Sequence, residues 1–233
     1  MEGPGLLNGI LAKLGPFVIT GSVVTTWIVM LALVLVAWLL TRKIQSVPTR
    51  AQFLLEGAVT AMQDAIAAVL PQHVEPVFPF VGTLWVFILV ANLTGLIPGL
   101  HSPTADLSVT SSLAVLVFGS VYWFGIRAEG FGNYLRHYLQ PNPIMLPFHL
   151  VSEVSRTVAL AVRLFGNMMS LDLAAFLVVW IAGLLVPIPL LLLHIIEAII
   201  QAYLFGMLAL IYIAGGIQSQ EVRRRKEREA SSQ

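Results

Sequence analysis

The sequence predicts an all-α polytopic membrane protein of about five transmembrane helices, with one interfacial amphipathic helix and a long, steeply tilted hairpin formed by the last two helices. Three observations predict it. Of 233 residues, 58% are hydrophobic and only 11% are charged, where soluble domains carry ~25% charged residues. The charges leave gaps of about one bilayer thickness. The last two apolar stretches are longer than one bilayer thickness, so they must protrude or tilt. Lysine and arginine (13) nearly balance aspartate and glutamate (12), so no basic field is offered to nucleic acid. Cysteine is absent, which excludes disulfide frameworks, thiolate metal sites and cysteine nucleophiles.

Residues 1–19 form an outer N-terminal segment with little functional signal. No charge lies from Thr20 to Thr41, enough at ~1.5 Å per residue to cross a ~30 Å hydrocarbon core, so 20–41 is the first span. It is not a secretion signal, because the residues before it are not basic and no small-residue cleavage site follows. Between residues 48 and 70, Arg50, Gln52, Glu56, Gln63 and Asp64 alternate with Phe53, Leu54, Ala58, Met62 and Ile66 at roughly helical spacing. That pattern fits an amphipathic interfacial helix, and a short solvated helix equally well. Two further spans follow at 76–98 and 107–126, joined by the loop GLHSPTA.

No proline interrupts residues 144–183 after Pro147, which predicts a helix of roughly 36 residues, ~54 Å long. After the break LVPIP, residues 189–217 predict a second overlong helix, antiparallel to the first, and 218–233 form a tail. With the N-terminus outside and five spans, the inner side receives Arg42, Lys43, Arg50, Arg127, Arg136, Arg223, Arg224, Arg225, Lys226 and Arg228, against Lys13 outside. The positive-inside rule favours that topology. The run RRRKER reads as a cytoplasmic tail beside the membrane, with headgroup contact as a weaker alternative.

Two arginines remain inside the fourth span, where a buried charge costs about 2.5 to 3.5 kcal/mol on insertion scales. Arg156 has a structural explanation: it can snorkel to the inner interface or pair with Glu153 one turn earlier. Arg163 has no acid within four residues, so a local ion pair cannot explain it. A guanidinium keeps its charge at accessible pH. It can hold a substrate anion, or meet a carboxylate from another subunit and favour its ionised form. In the second case it also blocks direct leakage between two aqueous routes, as an electrostatic gate.

Other polar residues suggest a path. Asn167 lies one turn beyond Arg163 and Ser170 two. His194, Glu197 and Gln201 fall within one ~60° arc of the last helix. Asp172, nine residues after Arg163, faces nearly the opposite way. Each has a plainer alternative: a helix–helix hydrogen bond for His194 and Glu197, interhelical bonding for Gln201, and caps or solvated turns for Asn92, Asp106 and Ser108. Zinc held by His149, Glu153, Asp172 and His194 is a weak reading, since no metal-ligand motif is present. An intramembrane enzyme would need a nucleophile and base that are not evident, and a plain membrane anchor would need no intramembrane arginine.

The runs SEVSRTVALAVRLFGNMMS (152–170) and HIIEAIIQAYLFGMLALIY (194–212), with ANLTGLIPG and PTADLSVTSSLA (103–114), resemble subunit a of F-type ATP synthases over most of the chain after residue 76. The resemblance implies the stator channel subunit of the Fo sector, with two offset half-channels that couple proton, or alternatively sodium, movement to c-ring rotation. It implies no catalytic chemistry of its own, since ATP is made on the F1 sector. Arg163 matches the essential arginine facing the c-ring carboxylates, and Asn167 and Gln201 the polar residues beside it. Asp172 and His194 match the outer channel, where Glu197 adds an acid, and Asp106 matches an acid of the outer loop. His149 and Glu153 lie towards the expected inner half-channel. Implied partners are the c-subunit ring, peripheral-stalk b subunits, the F1 sector indirectly and membrane lipid, with no nucleic acid, metal or cofactor. The implied location is a bacterial plasma (inner) membrane, with the N-terminus outside and the C-terminus cytoplasmic. Ala159 stands where many members have serine, and the extra Glu197 leaves the order of proton transfer open.

Overall fold

A computed structural model describes residues 10–14, 17–42, 50–97, 100, 102–129, 146–182 and 188–231. Its helices are α1 (Gly21–Thr41), α2 (Arg50–Val69), α3 (Val74–Leu93), α4 (Leu107–Glu129), α5 (Leu146–Ala182) and α6 (Ile188–Ser231). Five contain stretches long and apolar enough to cross a membrane: Gly21–Thr41, Val74–Leu96, Leu107–Arg127, Val151–Val178 and Pro189–Ile217. A lipid-exposed segment must satisfy its backbone internally, which a helix does. The hydroxyls in these apolar helices also bond back into them: Thr25 Oγ1 donates to Gly21 O (3.0 Å), Thr83 Oγ1 to Pro79 O (2.6 Å) and Ser170 Oγ to Gly166 O (2.6 Å).

The polytopic helical architecture read from the sequence is therefore present, with two additions. An antiparallel pair of short strands, β1 (Ile10–Leu14) and β2 (Phe17–Thr20), precedes α1, where the sequence carries no clear strand signal. The last helix also continues through the basic run to Ser231 instead of ending near residue 217. No proline or glycine follows Gly216 to stop it.

Helix α1 packs only at its start. Gly21, Thr25 and Val29 are buried, whereas Leu31, Val34 and Trp38 face outward. It ends where the Arg42 N–H bonds Trp38 O, with the Arg42 guanidinium 4.9 Å from the Trp38 ring centroid.

Two apolar clusters hold the other helices together. In the first, Ile66 and Leu70 at the end of α2 meet Val77, Val81 and Trp85 of α3, Val121 of α4, and Leu210 and Ile213 of α6. Phe53 and Leu54, in the first half of α2, remain exposed. In the second, Leu84 and Ile88 of α3 and Val117 of α4 meet Leu160 and Leu164 of α5 and Ala202, Phe205 and Ala209 of α6. Helix α3 packs chiefly on α6, and α4 chiefly on α5.

Helices α3 and α6 approach closely at Gly206, where an added Cβ would run into the Trp85 indole. Trp85 Nε1 donates to Tyr203 O (3.2 Å), and its ring lies nearly parallel to that of Tyr203, 6.4 Å away.

Candidate functional site

Helix α5 presents two faces. Leu160, Leu164 and Met168 recur at four-residue spacing and are buried against the bundle. Arg163 falls off that stripe and is exposed near the middle of the Val151–Val178 span. A charged side chain thus projects from the helix surface among apolar neighbours.

One turn on, Asn167 points into the hairpin. Its Nδ2 donates to Gln201 Oε1 at 2.8 Å, a side-chain bridge between α5 and α6 that sets Gln201 at the level of the residue following the Arg163 turn. Gln201 is 1% exposed, and its Nε2 has no partner among the described residues.

A second polar group lies two turns earlier on α6. His194 is 5% exposed and its Nε2 is 3.1 Å from Asn92 O. A carbonyl can only accept, so that ring nitrogen carries the hydrogen. Asn92 is fully buried at the end of α3. Thr104 Oγ1 donates to Asn92 Oδ1 (2.6 Å), and Asn92 Nδ2 makes a long contact to Ala198 O (3.4 Å). Ser102 Oγ donates to Ala91 O (3.0 Å) and is 2.6 Å from Thr104 Oγ1. Short oxygen contacts thus link Ala91, Ser102, Thr104 and Asn92 in one chain. Gly95 allows the close packing: an added Cβ would lie 3.2 Å from His194 Cε1 and 3.3 Å from Ser102 Cβ.

This network revises the reading of the connecting loop. Asn92 is not a solvated turn residue, and Ser102, Pro103 and Thr104 are buried. The segment is drawn inward because its hydroxyls supply hydrogen bonds to Asn92 and Ala91 that apolar neighbours cannot supply. Asp106 does act as a cap: its Oδ1 accepts the Ser108 N–H (2.9 Å) at the start of α4.

The remaining candidates are dispersed. Glu153 Oε2 accepts from the Tyr122 hydroxyl of α4 (3.1 Å), ten residues and so ~15 Å along α5 from Arg163. Arg156 lies 5.6 Å from the ring centroid of Tyr212, which gives an exposed guanidinium an aromatic neighbour. Asp172 and Glu197 are half-buried. His149 belongs to α5, with its side chain outside the described residues. Sequence reasoning missed Ser102, Thr104 and Tyr122. The first two look like ordinary turn residues, and the only signal for Tyr122 is a phenol within an apolar span.

A family model described as ATP synthase A chain matches residues 23–214. ATP synthase subunit a of Legionella pneumophila subsp. pneumophila (strain Philadelphia 1) is 61% identical over 224 residues, covering 96% of this chain and 97% of that one. ATP synthase subunit a 2 of Pelobacter propionicus is 58% identical over 219 residues, covering 94% and 96%. ATP synthase subunit a 1 of Hahella chejuensis is 53% identical over 214 residues, covering 92% and 91%. With five apolar spans, an exposed intramembrane arginine and this likeness along nearly its whole length, the chain belongs to the ATP synthase subunit a family.

Proposed function

We propose that this chain is the stator channel subunit of a rotary ATP synthase and that Arg163 gates ion transfer to a ring of c subunits. The observation that carries the reading is the exposed Arg163 guanidinium in the middle of an apolar span. A charge in that position is costly in lipid, and a partner's carboxylate relieves the cost. The Asn167–Gln201 bridge, one turn away, supports a fixed local backbone at the gate.

In this mechanism ions enter from the outer side past Asp106, Asp172, His194 and Glu197 and neutralise a c-ring carboxylate. The neutral group can then turn into lipid. After almost a full rotation it meets Arg163, whose positive charge favours the ionised carboxylate. The ion leaves through an inner half-channel beside Glu153 and His149. The coupled ion is the proton, with sodium as the alternative. One charge crossing 100 mV supplies ~2.3 kcal/mol, so several transfers drive each ATP. The chain performs no bond chemistry itself and acts with the c ring, the peripheral stalk b subunits and the catalytic sector. It resides in a bacterial inner membrane with the N-terminus outside and the C-terminus cytoplasmic.

Replacing the gate tests the reading. In vesicles containing the intact complex, Arg163→Ala should abolish ATP-driven ion pumping; retained coupled pumping defeats it.

A further inference from the structure

Two polar bridges join α5 to α6, and they share a register. Asn167 Nδ2 donates to Gln201 Oε1 at 2.8 Å, and the Arg156 guanidinium lies over the Tyr212 side chain, 5.6 Å from its ring centroid. The bridges are eleven residues apart on each helix and run in opposite directions along them. Eleven residues make about three turns, or ~16.5 Å, so both bridges fall on one antiparallel seam. A single contact lets two crossing helices pivot about it. A second contact on the same seam fixes their relative rotation.

Arg163 lies between the bridges, four residues from Asn167 and seven from Arg156. At ~100° per residue the three positions fall within an arc of about 40° on α5. The same register sets Arg163 level with Phe205, which is 1% exposed and packs with Leu164 in the second apolar cluster. A phenyl group has no lone pair to accept a guanidinium hydrogen, and Arg163 stays on the exposed flank. The rest of the bundle does little to set this seam, since α5 packs chiefly on α4 and α6 chiefly on α3.

We propose that the Arg156–Tyr212 contact is a positioning clamp. Together with the Asn167–Gln201 bridge it holds the hairpin in one register, and so fixes the flank of α5 from which Arg163 projects. The aromatic face of Tyr212 does this, and its hydroxyl does not. The positioning of Arg163 for ion transfer rests on the channel reading above; the clamp itself does not.

Both parts are read on the intact complex in vesicles. Tyr212→Leu and Arg156→Gln should each lower the thermal unfolding midpoint, and the double variant should lose less than the two losses added, because both remove the same contact. Tyr212→Phe, which keeps the aromatic face, should stay at the parent midpoint. No loss in the single variants, additive losses, or a Phe variant as impaired as the Leu variant overturns the clamp. A cation–aromatic contact biases an equilibrium by roughly two- to fivefold. The number of ions pumped per ATP hydrolysed should fall by a comparable factor in Tyr212→Leu and return in Tyr212→Phe, with the amount of assembled subunit unchanged. If Tyr212→Leu does not assemble, Arg156→Gln, at an exposed position, gives the same readout. Parent-level pumping per ATP in an assembled variant that lacks the contact overturns the positioning role. Coupled pumping that survives Arg163→Ala defeats the channel reading instead, and leaves the thermal cycle to decide the clamp.

Discussion

The two long helices of the hairpin use their polar residues in opposite ways. In an apolar 18-residue window of α5 17% of residues are buried inside the chain, against 50% in such a window of α6. Helix α5 places Arg163 on its exposed flank, whereas α6 turns His194 and Gln201 into the bundle. These buried polar groups draw partners from their own chain: His194 meets Asn92 O, and Gln201 Oε1 accepts from Asn167. An exposed charge in an apolar belt needs its partner from elsewhere. The difference separates residues that shape the chain from a residue that, under the proposed function, serves an assembly.

That contrast can be broken most sharply at Arg163. The Ala variant that abolishes pumping should leave the amount of assembled subunit in the membrane unchanged, as read by immunoblot of purified complex. Loss of the subunit itself would give Arg163 a structural role like that of the α6 residues. The reverse pattern is expected at Gly206. A methyl group directed into the Trp85 indole forces the α3–α6 contact apart, and overpacking of this kind costs about 1–3 kcal/mol. Gly206→Ala should lower the thermal stability of the complex, and Trp85→Leu in the same chain should recover part of the loss.

Thr104→Val probes the inward-facing side of the contrast, at the buried network. It keeps the side-chain shape but removes the donor to Asn92 Oδ1, and unpairing such a buried group costs about 1–3 kcal/mol. Thermal stability should fall, by no more than in Gly206→Ala. The smallest effect belongs to Val158→Ala on the outward side of α5, where Val158 is 54% exposed. Its stability should stay within about 0.5 kcal/mol of the parent. A larger loss there would show that α5 is held by contacts along its outer face.

Much of this is legible one residue at a time. Arg163 stands out because no acid lies within four residues of it in an apolar run. Asn167 and Gln201 are recognisable from the sequence only as neighbouring polar positions, and the structure supplies the 2.8 Å bond between them. Asn92 looks like a cap or turn residue because local sequence does not reveal that Thr104, twelve positions on, folds back to it. Trp85 and Tyr203 are 118 positions apart, beyond any helical or strand period. The role of Gly206 is hidden for the same reason, since a glycine reports its neighbour only after the two helices meet.

Local hydropathy alone shows that the chain crosses a membrane several times and that one arginine is out of place there. Transfer into lipid is nearly additive over local residues, so a run of apolar side chains is enough to place a segment in the bilayer. Tertiary structure alone decided which polar residues face inward and which outward. It drew Ser102 and Thr104 beneath the end of α3, joined His194 to Asn92 and left Arg163 on the surface. Those outcomes depend on hydrogen-bond geometry between distant segments, and no local sum of hydropathies contains it.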